Sequence, residues 1–62
     1  GKAIPNFVKQ TYGSAKAIAT SFDLALVPDV LDARDEELIY KQDPAPTADA
    51  KNVTEEKVFI DR

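Results

Sequence analysis

The chain has 62 residues, no Cys, no His and a formal net charge of −3. The missing Cys removes disulfides and thiolate metal sites, and the missing His removes the commonest metal ligand and general base. A chain this short buries only about 60% of the surface its unfolded form exposes, so without a disulfide or metal a protein partner is the expected source of its stability.

Charge is uneven along the chain. Residues 1–27 carry three Lys against Asp23, whereas residues 28–62 carry ten acidic against five basic side chains. A basic part followed by an acidic one suggests two contact surfaces. The overall negative sign argues against non-specific binding to nucleic acid. The longest apolar run is the four residues Leu24–Val27, far short of the roughly 20 that span a bilayer. No secretory leader pattern is visible.

The stretch Pro5–Val27 carries the clearest pattern. Phe7, Val8, Thr11, Tyr12, Ala15, Ile18, Ala19 and Phe22 recur three and four apart, the period of a helix with one wide apolar face. The spacing predicts a long amphipathic helix over about 5–26, with Pro5 in its first turn, where a missing N–H costs nothing. Lys2, Lys9 and Lys16 fall seven apart, on the side away from the apolar face, and read as a solvated stripe. Gly13 reads as a kink or end, or as a place where a partner helix or sheet approaches closely. Thr20–Ser21–Phe22–Asp23 has the form of a capping box with Asp in place of Glu. It leaves a second helix start after Thr20 open, and one continuous helix is favoured. Pro28 must end it.

Pro28 then reads as the opening of a second helix over about 28–40, with Asp29 in its first turn, where the helix dipole favours an acid. Leu38–Ile39–Tyr40 either closes that helix or forms a short strand, being rich in β-formers. Asp43–Lys51 contains Pro44 and Pro46 among small and acidic residues, the composition of an extended linker without regular structure. Asn52–Val53–Thr54 matches a glycosylation sequon, which carries no weight without a secretory signal. Val58–Phe59–Ile60 is the apolar cluster of the tail and suits a strand or a docking peptide. Pairing it with Leu38–Ile39–Tyr40 as a hairpin needs a loop of about fourteen residues, longer than ordinary hairpin loops. Docking onto another chain is therefore the preferred reading.

The expected organisation is mainly α: a helical segment over 1–42, then an extended Pro/Ala/acidic tail over 43–62 with a docking segment at 58–60, and no self-sufficient core. Catalysis is not expected. Ser14, Thr20, Ser21 and Tyr12 have no His or Cys to activate them, and no Walker or dinucleotide motif is present. Asp29, Asp32, Asp35 and Glu36 would place carboxylates on neighbouring helical turns, but the loop pattern of a calcium site is missing, so a solvated face is expected rather than a metal site. No cofactor, small-molecule ligand or nucleic acid is expected. The function that follows is a non-catalytic accessory or structural subunit of a larger assembly, for example a minor virion protein or a small subunit of a multisubunit complex. Its partner-binding residues would be Phe7, Val8, Tyr12, Ala15, Ile18, Ala19, Phe22, Val58, Phe59 and Ile60. The alternative is an acidic regulator, such as an antitoxin or a nucleic-acid-mimicking inhibitor, whose acidic half fills a basic site.

Overall fold

The computed structural model describes residues 3–62. Among them there is one helix, α1 (Tyr12–Ser21), followed by three strands: β1 (Ala25–Pro28), β2 (Leu38–Asp43) and β3 (Glu55–Asp61). The strands form one mixed sheet in the order β1-β3-β2. β1 runs parallel to β3 with Leu26 opposite Glu56, and β2 runs antiparallel to it with Ile39 opposite Ile60. The mainly α architecture expected from the spacing is overturned: this is an α+β fold with a β-rich core of its own.

The helix expected over 5–26 loses both ends for local reasons. Thr11 is the N-cap in extended conformation, and its hydroxyl accepts a hydrogen bond from the Ser14 N–H. Such a cap satisfies one of the four orphan donors of a helix start. Upstream, Lys9 sits at φ 71°, a left-handed turn that no helix contains. Residues 3–10 therefore form an extended arm, and the Phe7–Val8–Thr11 spacing only imitates a helical period. Lys9 lies outside the helix, so the lysine stripe does not form; Lys2 lies outside the described residues. At the other end Phe22 caps the helix and Asp23 turns left-handed at φ 58°. Leu24 N–H then bonds Ala19 O at 2.9 Å, and the chain leaves as β1. Leu24–Val27, read above as the end of a helix, supplies most of that strand.

The second helix expected over 28–40 is replaced by β1's last residue, two turns and the start of β2. Asp29 does not cap a helix. Its N–H donates to Val58 O at 3.0 Å and its carboxylate accepts from the Ile60 N–H at 2.9 Å, extending the β1-β3 edge. Leu38–Ile39–Tyr40 and Val58–Phe59–Ile60, the two candidate strands, pair with each other inside the chain. Asp43, the first residue of the expected linker, closes β2, and residues 44–54 form neither helix nor strand, as the Pro44 and Pro46 composition implies. This loop is tied down rather than free: Ile4 N–H donates to Ala48 O at 2.8 Å and Thr47 N–H to Ile4 O at 2.9 Å. The 43–62 segment is thus half loop and half central strand, not a tail.

The core consists of Ile4, Phe7, Ala15, Ala19, Leu24, Ile39, Val58 and Ile60. Ala15 and Ala19 are the fully buried helix residues, one turn apart. Their small side chains let α1 lie close over one face of the sheet. The outer edge of β2 is covered by the chain leading into α1, where Lys9 N–H donates to Ile39 O, Ile39 N–H to Gln10 O and Tyr12 N–H to Glu37 O. The edge of β1 is left open, but it is four residues long and ends in Pro28, which lacks a donor. Short edges carrying proline resist addition of a further strand.

Gly13 is a close-approach position, though the neighbour belongs to this chain. Its N–H donates to Asp35 O at 2.9 Å, and a Cβ placed there would lie 2.9 Å from Asp35 Cβ. Alanine at a helix position is intrinsically favoured over glycine by about 1 kcal/mol. Overpacking against a fixed neighbour costs about 1–3 kcal/mol, so the clash outweighs the propensity. Gly13→Ala is therefore expected to lower the urea midpoint of unfolding. A midpoint at or above that of the parent chain would show that the 34–37 turn yields freely.

Candidate functional site

Helix α1 covers one face of the three-stranded sheet and leaves the other open. The strand patterns assign the residues. Along β3, Glu56, Val58 and Ile60 are buried, while Glu55, Lys57 and Asp61 are exposed and Phe59 is partly buried on the outer face. Along β2, Ile39 and Gln42 point inward, and an irregularity between Ile39 and Lys41 turns both Tyr40 and Lys41 outward. A bulge of this kind re-aims side chains locally.

The outer face is therefore built around Phe59. The Tyr40 ring lies 6.2 Å from it with the planes tilted by 56°, a favourable geometry for an aromatic pair. Lys41 Nζ and Lys57 Nζ sit 5.1 and 5.3 Å from the Phe59 centroid, within the range of cation–π attraction. Val27, opposite Lys57, and Leu38, opposite Asp61, continue the apolar surface to either side. Tyr40 is 55% exposed and Leu38 48% exposed. Asp43, Glu55 and Asp61 stand at the margins. The result is an apolar and aromatic centre with two cations over it and acids around it.

The expected partner-binding residues are divided by the fold. Phe7, Ala15, Ala19, Val58 and Ile60 lie in the chain's own core. Tyr12, Ile18 and Phe22 are partly buried and pack against that core. Val8 is partly buried in the turn before α1. Phe59 alone of the group belongs to the open sheet face. Tyr40, Lys41, Lys57, Val27 and Leu38 complete that face, and none of them is among the partner-binding residues expected from the sequence. The alternation of Glu55–Asp61 could have found Lys57 and Phe59, but the outward turn of Tyr40 depends on an irregularity that no local pattern announces.

Part of the acidic run is paired within the chain. Arg62 donates to Glu37 Oε2 at 2.8 Å and to Asp32 Oδ1 at 2.7 Å, and Lys16 pairs with Asp35 at 2.7 Å. The hydrogen bonds from Arg62 hold the Asp32 and Glu37 carboxyls below their usual values, and Asp35 raises Lys16. Among the described residues no group of acidic side chains is arranged to hold a metal ion. No helix among them is long and apolar enough to cross a membrane. A groove between α1 and β1, floored by Ala19 and Leu24, measures about 190 Å³, below the roughly 300–1,000 Å³ of ordinary ligand pockets.

One buried ionisable group stands apart from these surfaces. Glu56 on β3 is 0% exposed. Its Oε2 accepts from Gln42 Nε2 at 3.0 Å, and its Oε1 has no hydrogen-bond partner. Burial pushes this carboxyl up to about 7, against the opposing hydrogen bond from Gln42. It has no surface from which to meet a substrate.

Compared with known proteins, the chain matches no family model, no curated protein and no solved structure.

Proposed function

We propose that the chain is a non-catalytic accessory or structural module that binds partner chains of a larger assembly through the open face of its sheet. The observation that carries this reading is the one-sided cover of the sheet, which leaves Val27, Leu38 and the paired rings of Tyr40 and Phe59 on the uncovered side. Aromatic residues at the centre of a patch with a polar rim are the usual composition of a protein interface. Bound there, a partner would bury the Tyr40 and Phe59 rings and displace water from the lysine stems. The helix face cannot serve the same purpose, because its apolar residues already cover the other side of the sheet.

The test is incorporation into the parent assembly in cells, followed by mass-resolved size exclusion. Tyr40→Asp and Phe59→Asp place a charge at the patch centre without entering the core. Ser14→Asp on the exposed helix surface is the control. The expected result is that both sheet-face variants keep the parent's thermal transition and leave the assembly fraction, while the control stays in it. Retention of both sheet-face variants at parent stoichiometry would remove the reading. Ile18→Asp is uninformative here, since Ile18 packs against the chain's own core.

A further inference from the structure

The buried pair Gln42–Glu56 sits where the N-terminal arm meets the sheet. Gln42 Oε1 accepts from the Phe7 N–H at 2.6 Å, and Gln42 Nε2 donates to Pro5 O at 2.9 Å and to Glu56 Oε2 at 3.0 Å. One side-chain amide thus holds the arm on one side and the carboxyl on the other. Both hydrogens of that amide are engaged, with Pro44 O a longer contact at 3.4 Å, so it can offer a carboxylate no more than the one bond it already gives Glu56 Oε2. Glu56 Oε1 remains buried without a partner, a position that suits an uncharged carboxyl and penalises a carboxylate.

The geometry points to a pH-operated latch: the neutral Glu56 carboxyl closes the network that pins residues 4–7 to the sheet, and its ionisation opens that network. The inference concerns the inside of the domain and does not rest on the docking surface.

Among the described residues no cation is placed to offset the charge. The arm over residues 3–10 carries one charged side chain, the exposed Lys9, and strand β1 carries none. On β2, Lys41 lies over Phe59 on the opposite face, and Asp43 repels an ionised Glu56. On β3, Lys57 likewise lies over Phe59, and Glu55 is exposed. On α1, Lys16 is paired with Asp35. In the 44–54 loop, Asp49 and Lys51 are exposed. An ionised Glu56 would have to draw in water or move outward, and the simplest movement lifts the arm that shares the Gln42 amide with it.

The direction follows from linkage. The folded carboxyl titrates near 7 and the unfolded one near 4.5. Between these values the folded state holds a proton that the unfolded chain has released, so stability is fully present below about pH 4.5 and is lost as pH rises through 7. The separation corresponds to at most a roughly 300-fold loss in the folding constant.

The experiment is a carboxyl-carbon NMR titration of the full chain from pH 4 to 9, with amide exchange at Ile4 and Phe7 referenced to the intrinsic rate at each pH. The expected result is a Glu56 midpoint near 7. Protection at Ile4 and Phe7 should fall by up to about tenfold between pH 6 and 8. In Glu56→Gln, which keeps a neutral side chain of the same shape, that fall should vanish. A Glu56 midpoint below 5, or protection unchanged across the range in the parent chain, would overturn the latch. The parent titration needs no substitution, so it decides the matter even where Glu56→Gln does not fold.

Discussion

Phe7→Ala is expected to unfold most of the chain at room temperature. Phe7 is 0% exposed and is the largest of the fully buried side chains. It lies in the extended arm, not in the helix, and it fills the space beneath α1 and the sheet with Ile4, Ile39 and Val58. Truncating a buried Phe to Ala costs about 3–5 kcal/mol, from lost transfer free energy and the cavity left behind. A domain of this length holds only about 3–9 kcal/mol in total, at roughly 0.05–0.15 kcal/mol per residue. The loss is therefore comparable to the whole stability. Urea unfolding followed by circular dichroism checks it: a cooperative Phe7→Ala transition within about 1 kcal/mol of the parent would mean that the arm is dispensable. The same arithmetic revises what the missing disulfide and metal imply. The chain supplies a core by folding its arm back, so a partner is not required to complete one.

The parts of this fold that could be read from the sequence are those set by local chemistry. Ala15, Ile18 and Ala19 do lie on the inward side of a helix, and Pro44 and Pro46 do sit in a segment without regular structure. The irregular segment follows from proline's missing donor and from small residues that bury little. What failed was the distinction between a helical period and an accidental one. Phe7 and Val8 continue the spacing of Tyr12 and Ala15 backwards, but Thr11 is a better cap than helix interior residue, and Lys9 turns the chain. Leu24–Val27 is short, apolar and rich in branched residues, and periodicity alone cannot tell such a run from a buried helical turn. Its length and the following proline were the better guides to a strand.

The pairing of β2 with β3 was illegible for another reason. Its connection exceeds ordinary hairpin lengths, but loop closure grows only logarithmically more costly with length. The loop is also partly zipped to the arm through Ala48 and Thr47. That contact spans more than forty residues, from Ile4 to Ala48, so nothing local in either segment reports it. The outer-face site shares the problem, because Tyr40 and Phe59 come together only once the β2-β3 register is set. Gln42 and Glu56 are inward-facing for the same reason, and no local pattern marks either of them.

Gln42 is where the second large effect is expected. Gln42→Leu keeps the volume and removes the hydrogen bonds, leaving the Phe7 N–H, the Pro5 carbonyl and Glu56 Oε2 without the amide that now serves them. Each buried polar group left unsatisfied costs about 1–3 kcal/mol, and the shared network makes the sum less than additive. The expected loss is about 3–5 kcal/mol, well above that of an ordinary surface Gln substitution. Gln42→Ala should lose at least as much, since it adds a cavity. The pH dependence separates this account from simple mispacking. The Gln42 hydrogen bond is what opposes the upward push of burial on Glu56, so without it the carboxylate is harder still to form. The penalty of Gln42→Leu should accordingly be larger at pH 8 than at pH 5. Denaturant unfolding of parent and variant at the two pH values measures it. Equal penalties would mean that Glu56 takes its charge without help from Gln42, and the network would then hold the arm without sensing the proton.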